Sequence, residues 1–291
     1  MIEFKDFSFR YKKSKDFALS GVNLSIKKGD FVGIIGNSGA GKSTFTYALN
    51  GIIPHHFEGD FYGEVNVNGL DTVEASPSQL ALTVGSVFQD IDGQMVSSVV
   101  EDEILFGLEN FGVSHGEIEN RVTDILKMVG IEELRYRNIS TLSGGQKQKV
   151  AIAAVAALMP DILVLDEPTA ELDPQSSLQI FNMLRMLNEK FGITIIVVEQ
   201  KIMLLSEFSK RLIIINEGKC FLDGTPQEVL KDTEILKQIG VNCPRVATLA
   251  NNLIEKKLYN GAVPVNIDEA EIMVKKVFVP QVGAEVINDK I

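Results

Sequence analysis

Residues 36–44, with the sequence GNSGAGKST, constrain the fold of this chain more than any other stretch. They match the phosphate-loop pattern G-x-x-x-x-G-K-[ST] and lie between an apolar run, Phe31–Ile35, and a predicted helix at residues 42–50. A strand, a glycine-rich turn and a helix in this order place backbone N–H groups around phosphate oxygens at the helix N-terminus. The pattern predicts an α/β fold that binds a nucleoside triphosphate.

Each position of this loop has an expected role. Lys42 is predicted to reach the β- and γ-phosphate oxygens, and the Ser43 hydroxyl is predicted to ligate Mg²⁺. The predicted phosphate-binding residues are Gly36, Asn37, Ser38, Gly39, Ala40, Gly41, Lys42, Ser43 and Thr44.

Composition and charge exclude several classes of function. The 291 residues are 45% hydrophobic and carry a formal net charge of −11, so we expect no nucleic-acid partner. Cys220 and Cys243 show no metal-ligand spacing. The first residues are too charged for a signal peptide, and the longest uncharged apolar stretch, residues 150–159, is about half a membrane span. We therefore expect a cytosolic chain whose role at a membrane needs a partner.

Hydrophobic patterning predicts strands that alternate with helices, which indicates a largely parallel sheet. Predicted strands lie at residues 2–9, 22–26, 31–35, 63–69, 83–88, 162–165, 193–198 and 212–215. Predicted helices lie at residues 42–50, 99–110, 147–158 and 174–190, and a helix with a capping box is predicted to start near Ser114. Helices with looser spacing follow Pro226, and the last dozen residues give no clear signal.

Two adjacent carboxylates follow the apolar run at residues 162–165. Asp166 is predicted to hold Mg²⁺, directly or through water. Glu167 points the other way and is predicted to orient and deprotonate the attacking water. The pair therefore predicts hydrolysis of the bound triphosphate.

A second anion-binding helix terminus is predicted at residues 142–146, with the sequence LSGGQ. Ser143 is a natural N-cap, and Gly144 and Gly145 allow a phosphate to approach the helix, with Gln146 completing the motif. Because residues 36–44 already bind one nucleotide, we expect this second terminus to contact the ATP of another subunit.

The order of these motifs resembles the nucleotide-binding subunit of ATP-binding cassette (ABC) transporters. The matching residues are the phosphate loop, Gln89, LSGGQ at 142–146, DEPTA at 166–170 and ELD at 171–173, and the resemblance covers about residues 1–230. It implies a head-to-tail dimer with two ATP molecules between phosphate loop and signature motif. Gln89 would contact Mg²⁺ and a membrane subunit, and Asp173 would couple the two sites. Tyr11 matches the residue that stacks on adenine, or it is an ordinary tyrosine at a strand end.

The resemblance also implies the architecture. The expected fold class is α/β: a P-loop NTPase core with a mostly parallel sheet, an N-terminal antiparallel β subdomain and an inserted α-helical signature subdomain at about residues 90–145. Residues 1–230 would form the ABC ATPase domain, and residues 231–291 a C-terminal helical extension.

Residues 88–94 and the segment after them are similar to the energy-coupling factor (ECF) ATPases, which drive vitamin or transition-metal uptake. This implies a transmembrane subunit, a separate substrate-binding membrane subunit, and a homologous ATPase chain as partner in a heterodimer. The chain would lie at the cytoplasmic face of the cell membrane as a peripheral subunit. The acidic residues 101–103 would either face the membrane subunit or form a solvated helix face. The transported solute is not encoded in a motor chain.

Gln200 departs from the family pattern, in which a histidine follows Val-Glu after the next strand. An amide can donate a neutral hydrogen bond but cannot carry charge or a proton, as imidazole can. Either the site with Gln200 is slow and the partner's site does most of the turnover, or Gln200 suffices because Glu167 and Lys42 remain. Three functions therefore stay open: the ATPase motor of an importer, a nucleotide-gated assembly subunit with little hydrolysis, and a soluble ABC ATPase of the iron–sulfur assembly type.

Overall fold

The computed structural model describes residues 1–278, so residues 279–291 of the predicted C-terminal extension lie outside the described residues. The strands are β1 (Ile2–Tyr11), β2 (Leu19–Ile26), β3 (Phe31–Ile35), β4 (Gly59–Val67), β5 (Leu70–Asp71), β6 (Val84–Val87), β7 (Ile162–Asp166), β8 (Thr194–Val198), β9 (Arg211–Asn216) and β10 (Lys219–Gly224). The helices are α1 (Lys42–Leu49), α2 (Ile52–His55), α3 (Pro77–Ala81), α4 (Ile91–Gln94), α5 (Val100–Asn110), α6 (His115–Val129), α7 (Gly144–Ala156), α8 (Pro174–Phe191), α9 (Ile202–Phe208), α10 (Pro226–Val229), α11 (Thr233–Gln238), α12 (Arg245–Glu255) and α13 (Ile267–Phe278).

The larger sheet has the strand order β10-β9-β3-β8-β7-β6. Every neighbouring pair is parallel except β9 and β10, which form an antiparallel hairpin at one edge. Strands β3, β7 and β8 are buried at every position, as expected for short apolar strands covered on both faces. The chain therefore has the predicted α/β fold with a mostly parallel sheet.

The smaller sheet is antiparallel, with the order β2-β1-β4-β5, and it confirms the predicted N-terminal β subdomain. Strand β4 begins at Gly59 and ends at Val67, so the boundaries predicted at residues 63–69 are wrong. Gly63 lies inside the strand at φ 76°, beside a register shift against β1. A Cβ there would lie 2.3 Å from the Lys5 carbonyl oxygen, so this glycine forms a bulge within β4 and does not begin it.

A helical region lies between β6 and β7. Helix α6 begins after Ser114, but the predicted capping box is wrong because the Ser114 side chain makes no capping hydrogen bond. Glu117 instead pairs with Arg121 one turn later, at 3.9 Å. The signature helix α7 begins at Gly144, three residues earlier than predicted, because Ser143 caps it.

Two apolar clusters hold these layers together. One lies between the smaller sheet, one face of the larger sheet and α1. The other lies on the opposite face of the larger sheet and contains α5 to α9 together with buried residues of the C-terminal helices, such as Leu236 and Ala250. Within residues 1–278, no helix combines the length and the apolar character needed to cross a bilayer.

Candidate functional site

The strand order brings the predicted catalytic residues to one edge of the larger sheet. Strands β3, β8, β7 and β6 are consecutive parallel neighbours, so their carboxyl ends lie side by side. The phosphate loop follows β3, Gln200 follows β8, the carboxylate pair ends β7, and Gln89 follows β6. Ligands of such sheets bind at the carboxyl ends of the strands.

The glycines of the phosphate loop are required by close contacts. A Cβ on Gly36 would lie 2.2 Å from the carbonyl oxygen of Ile215, at the end of β9. Gly41 adopts φ 109° at the N-terminus of α1, and a Cβ there would lie 2.4 Å from the carbonyl oxygen of Ala18. The loop is therefore packed on the protein by its backbone, and its exposed side, residues 37–39, faces outward.

Lys42 folds back over this loop. Its Nζ donates hydrogen bonds to the carbonyl oxygens of Gly36 at 2.9 Å and Asn37 at 3.0 Å, and only 6% of the residue is exposed. The ammonium is thus held where the phosphate-loop pattern predicts a cation.

Asp166 lies beside the phosphate loop at the end of β7 and is 6% exposed. Burial raises the pKa of its carboxyl, although a hydrogen bond from the Ser43 hydroxyl opposes the shift. The neighbouring Glu167 carboxylate raises the pKa of Asp166 further, and the charge of Lys42 lowers it. A hydroxyl and a carboxylate oxygen in contact are the hard ligands that suit Mg²⁺, so Ser43 and Asp166 fit the predicted metal.

Glu167 follows Asp166 in an unusual left-handed backbone conformation, with φ 51°. Its carboxylate lies between two amides: Gln200 Nε2 donates to Oε1 at 2.8 Å, and Gln89 Nε2 donates to Oε2 at 3.5 Å. The structure therefore brings the predicted general base, the residue in place of the histidine, and the predicted metal-binding glutamine into one cluster.

A buried network joins the loops that carry Glu167 and Gln200, and the sequence reasoning missed it. Glu199, 1% exposed, accepts hydrogen bonds from the Thr169 amide at 2.8 Å and the Thr169 hydroxyl at 2.6 Å. Lys201 Nζ donates to the Thr169 carbonyl at 3.0 Å. Burial raises the pKa of the Glu199 carboxyl, and these Thr169 bonds oppose the shift. The sequence feature that could have indicated this network is Glu199 itself, a carboxylate directly after the apolar strand β8.

The signature motif forms a second, separate feature. Ser143 Oγ accepts from the Gln146 amide at 3.3 Å, and Gln146 Oε1 accepts from the Ser143 amide at 3.0 Å, a complete capping box. Ser143, Gly145 and Gln146 line a groove of about 170 Å³ with Ser176 of α8. This groove contains no residue of the phosphate loop, whereas Leu142 and Gly144 of the same motif line the cleft described next.

A larger cleft, of about 680 Å³, joins the metal-site candidates to the start of the signature helix. It is lined by Ser43, Gln89, Asp166, Gly144 and Lys147, among others. An ion pair of 2.7 Å between Lys147 Nζ and Asp92 ties α7 to α4, directly after Gln89. The segment after Gln89 therefore contacts the signature helix.

The remaining predicted contacts have definite positions. The hydroxyls of Tyr11 and Thr44 lie 3.1 Å apart, so Tyr11 is beside the phosphate-loop helix. Asp173 accepts from the Gln175 and Ser176 amides and caps α8, which lowers its pKa through hydrogen bonds led by the Ser176 hydroxyl.

The acidic residues 101–103 do not form one exposed surface. Glu103 is 7% exposed and accepts from the amides of Val96 at 3.0 Å and Ser97 at 2.7 Å. Glu101 accepts from Arg135 Nε at 2.8 Å. A solvated helix face is therefore wrong for Glu103, because its carboxylate fixes the segment that leads into α5.

Comparison with known proteins agrees with this geometry. Residues 19–170 match the family model described as ABC transporter. The energy-coupling factor transporter ATP-binding protein EcfA1 of Clostridium novyi is 36% identical over 274 residues, which are 92% of this chain and 95% of that protein.

Two solved structures share the fold. The structure of cbiO1 from Clostridium perfringens, described as part of the ABC transporter complex cbiONQ, has a TM-score of 0.73 and 33% identity, covering 85% of this chain and 97% of that one. A dimeric ATP-binding cassette, MJ0796, bound to ADP and Pi has a TM-score of 0.67 and 30% identity, covering 78% and 99%.

Proposed function

The chain belongs to the ABC transporter family of ATPases, and from this premise we propose that it is the ATP-hydrolysing motor of an ECF-type membrane importer. The similarity to EcfA1 and to cbiO1 supports the ECF branch. The single observation that carries hydrolysis is the Glu167 carboxylate, bonded to Gln200, at the same edge of the sheet as the phosphate loop with Lys42.

Assembly is proposed to be head to tail, with each ATP between one chain's phosphate loop and the other chain's signature motif. Ser143, Gly145 and Gln146 line a groove other than the cleft that contains Ser43, which supports this arrangement. A homologous chain is the favoured partner, because a homodimer would carry Gln200 in both sites. The similar cassette that is dimeric and bound to ADP and Pi supports dimerisation itself.

In the proposed reaction Lys42 neutralises phosphate charge as it develops, and Glu167 accepts the proton of the attacking water. Gln200 holds the Glu167 carboxylate in place through the bond at 2.8 Å. Mg²⁺ would be held by Ser43, Asp166 and Gln89, and it would neutralise charge on the phosphates. Tyr11, whose hydroxyl lies 3.1 Å from that of Thr44, would contact the adenine.

The remaining partners follow from the family. We propose a transmembrane subunit, contacted near Gln89, and a separate membrane subunit that binds a vitamin or a transition-metal ion. The chain would then be peripheral at the cytoplasmic face. Gln200 favours a second candidate: a nucleotide-gated assembly subunit that binds ATP and hydrolyses little.

Phosphate release by the purified chain tests both proposals. In a shared-site dimer, the specific activity rises with protein concentration, because each site needs two chains. Mixing Glu167→Gln chains with Ser143→Arg chains should restore activity, since one hybrid site contains an intact Glu167 and an intact Ser143. Activity that is independent of concentration, with no restoration, would contradict a site shared between two copies of this chain.

The assembly-subunit candidate makes a different prediction in the same assay. It requires ATP binding without turnover by the chain alone, with phosphate release appearing only when the homologous chain copurified from membranes is added. Rapid hydrolysis by the chain alone would exclude it.

A further inference from the structure

The turn after helix α11 contacts the phosphate loop, although the two are 202 residues apart in the chain. The side-chain amide of Asn37 donates a hydrogen bond to the carbonyl oxygen of Ile239. Gly240 lies directly against the same side chain: a Cβ at this position would be 2.6 Å from Asn37 Nδ2 and 2.7 Å from Oδ1. Gly240 also adopts φ 76°, which favours glycine, and a Cβ at this position would displace the Asn37 side chain.

The turn is held to the body of the protein by backbone hydrogen bonds and by buried apolar side chains. The Gly240 amide donates to the Lys237 carbonyl at 2.9 Å, and the Val241 amide donates to the Leu236 carbonyl at 2.8 Å. Leu236 and Val241 are 0% and 4% exposed and belong to the apolar cluster under the larger sheet. The Ile239 carbonyl is therefore presented to Asn37 from a rigid support.

Asn37 connects this support to the phosphate-binding groups. Its own carbonyl oxygen accepts from Lys42 Nζ at 3.0 Å and from the Ala40 amide at 3.1 Å. The side chain of Asn37 thus bonds to the C-terminal turn while its backbone bonds to the lysine and the loop amide. The phosphate-loop pattern does not specify a residue at this position, so phosphate binding by itself does not account for the side-chain contact.

We propose that the Ile239–Gly240 turn is a positioning element for the phosphate loop, which acts through Asn37 to hold the loop ready for nucleotide. The proposal rests on the proposed nucleotide site. Coupling between two sites is reciprocal, so bound nucleotide stabilises the turn by the same factor by which the turn strengthens binding. A contact that is kept from ATP binding through hydrolysis contributes equally to both states, so we expect its loss to raise KM and to leave kcat unchanged.

The test measures ADP affinity by calorimetry with MgCl₂ present, since ADP occupies the phosphate loop without turnover. Gly240→Ala and Asn37→Ala should each weaken ADP binding about fivefold, the lower end of typical coupling. The double variant should be no weaker than the weaker single variant, because both changes remove one contact. Gly192→Ala is the matched control: Gly192 has φ 69°, and a Cβ there meets nothing within 4 Å.

The positioning role would be refuted if Gly240→Ala bound ADP as tightly as Gly192→Ala does. It would also be refuted if the losses of ADP affinity in the two single variants multiplied in the double variant. A fall in kcat at unchanged KM would refute it as well. If Gly240→Ala does not fold, the proposal is tested instead by amide hydrogen exchange on the unaltered chain. Saturating ADP should slow exchange of the Gly240 and Val241 amides, and the slowing should be lost in Asn37→Ala. Unchanged exchange in the unaltered chain refutes the coupling, whereas failure of that chain to bind ADP refutes the nucleotide site instead.

Discussion

Replacing Gln200 with alanine removes the shorter of the two amide contacts to the Glu167 carboxylate. The remaining amide, Gln89, is 3.5 Å from Oε2, at the limit of a hydrogen bond, compared with 2.8 Å for Gln200 and Oε1. A hydrogen bond to a charged group contributes about 1.5–3 kcal/mol, and the lower end applies because Gln200 is exposed. If Gln200 holds Glu167 in its reactive position, this contribution is lost from the transition state, and about 1.5 kcal/mol corresponds to roughly a tenfold lower rate of hydrolysis.

The assay is single-turnover phosphate release, with protein in excess over ATP, so that binding and product release do not mask the chemical step. Gln227→Ala, on α10 outside the site, is the matched control and should keep the rate of the unaltered chain. A Gln200→Ala rate within about twofold of the unaltered chain would refute the positioning of Glu167 by Gln200.

Gln200→His tests the opposite change. Imidazole can donate to Glu167 and can also carry charge or a proton, so we expect faster turnover than with glutamine. If Gln200→His hydrolyses ATP no faster than the unaltered chain, an amide is a sufficient replacement for histidine, and the hypothesis that Gln200 slows this site is wrong.

Further predictions concern the groups around this cluster. Burial raises the pKa of Glu199, so the folded state binds its proton more tightly than the unfolded state, and stability is lost as pH rises from about 4.5 through the folded pKa. Urea unfolding should therefore show Glu199→Gln gaining stability relative to the unaltered chain with rising pH, and a flat difference would contradict this. Glu167→Gln should lower kcat by about 10²–10⁴-fold while leaving ATP affinity, measured by calorimetry, nearly unchanged. Gly36→Ala should abolish ATP binding and lower unfolding stability by about 1–3 kcal/mol, because its Cβ would lie 2.2 Å from the Ile215 carbonyl oxygen. Gly39→Ala should lower both by less, because its Cβ would meet no atom within 4 Å, although φ 76° strains any side chain there.

The parts of the site that could be predicted are those encoded by short local patterns. The phosphate loop, the carboxylate pair and the signature helix each follow an apolar run or precede a helix. The carboxyl ends of parallel strands converge, so the proximity of Asp166, Gln89 and Gln200 also follows from the alternation of strands and helices. The roles assigned to these residues stay predictions until the variants are measured.

The contacts that escaped prediction join residues through the folded core. Thr169 and Glu199 are 30 residues apart, and no periodicity in either segment names the other as a partner. The contact between the Gly240 turn and the phosphate loop could not be predicted either, because a glycine between helices predicts a bend but not which residues lie beside it. Strand β10 was missed for a different reason: its residues alternate between exposed and half-buried at a sheet edge, so it lacks an apolar run.

The left-handed backbone at Glu167 has a consequence for how this chain evolves. A residue with a Cβ in this region carries a conformational cost of about 1–3 kcal/mol, which a glycine would not bear. Glycine would relieve this cost, whereas other side chains with a Cβ would bear it equally, but glycine would remove the predicted general base. Glutamate at position 167 is therefore kept at the expense of folding stability, as expected of a residue selected for its chemistry.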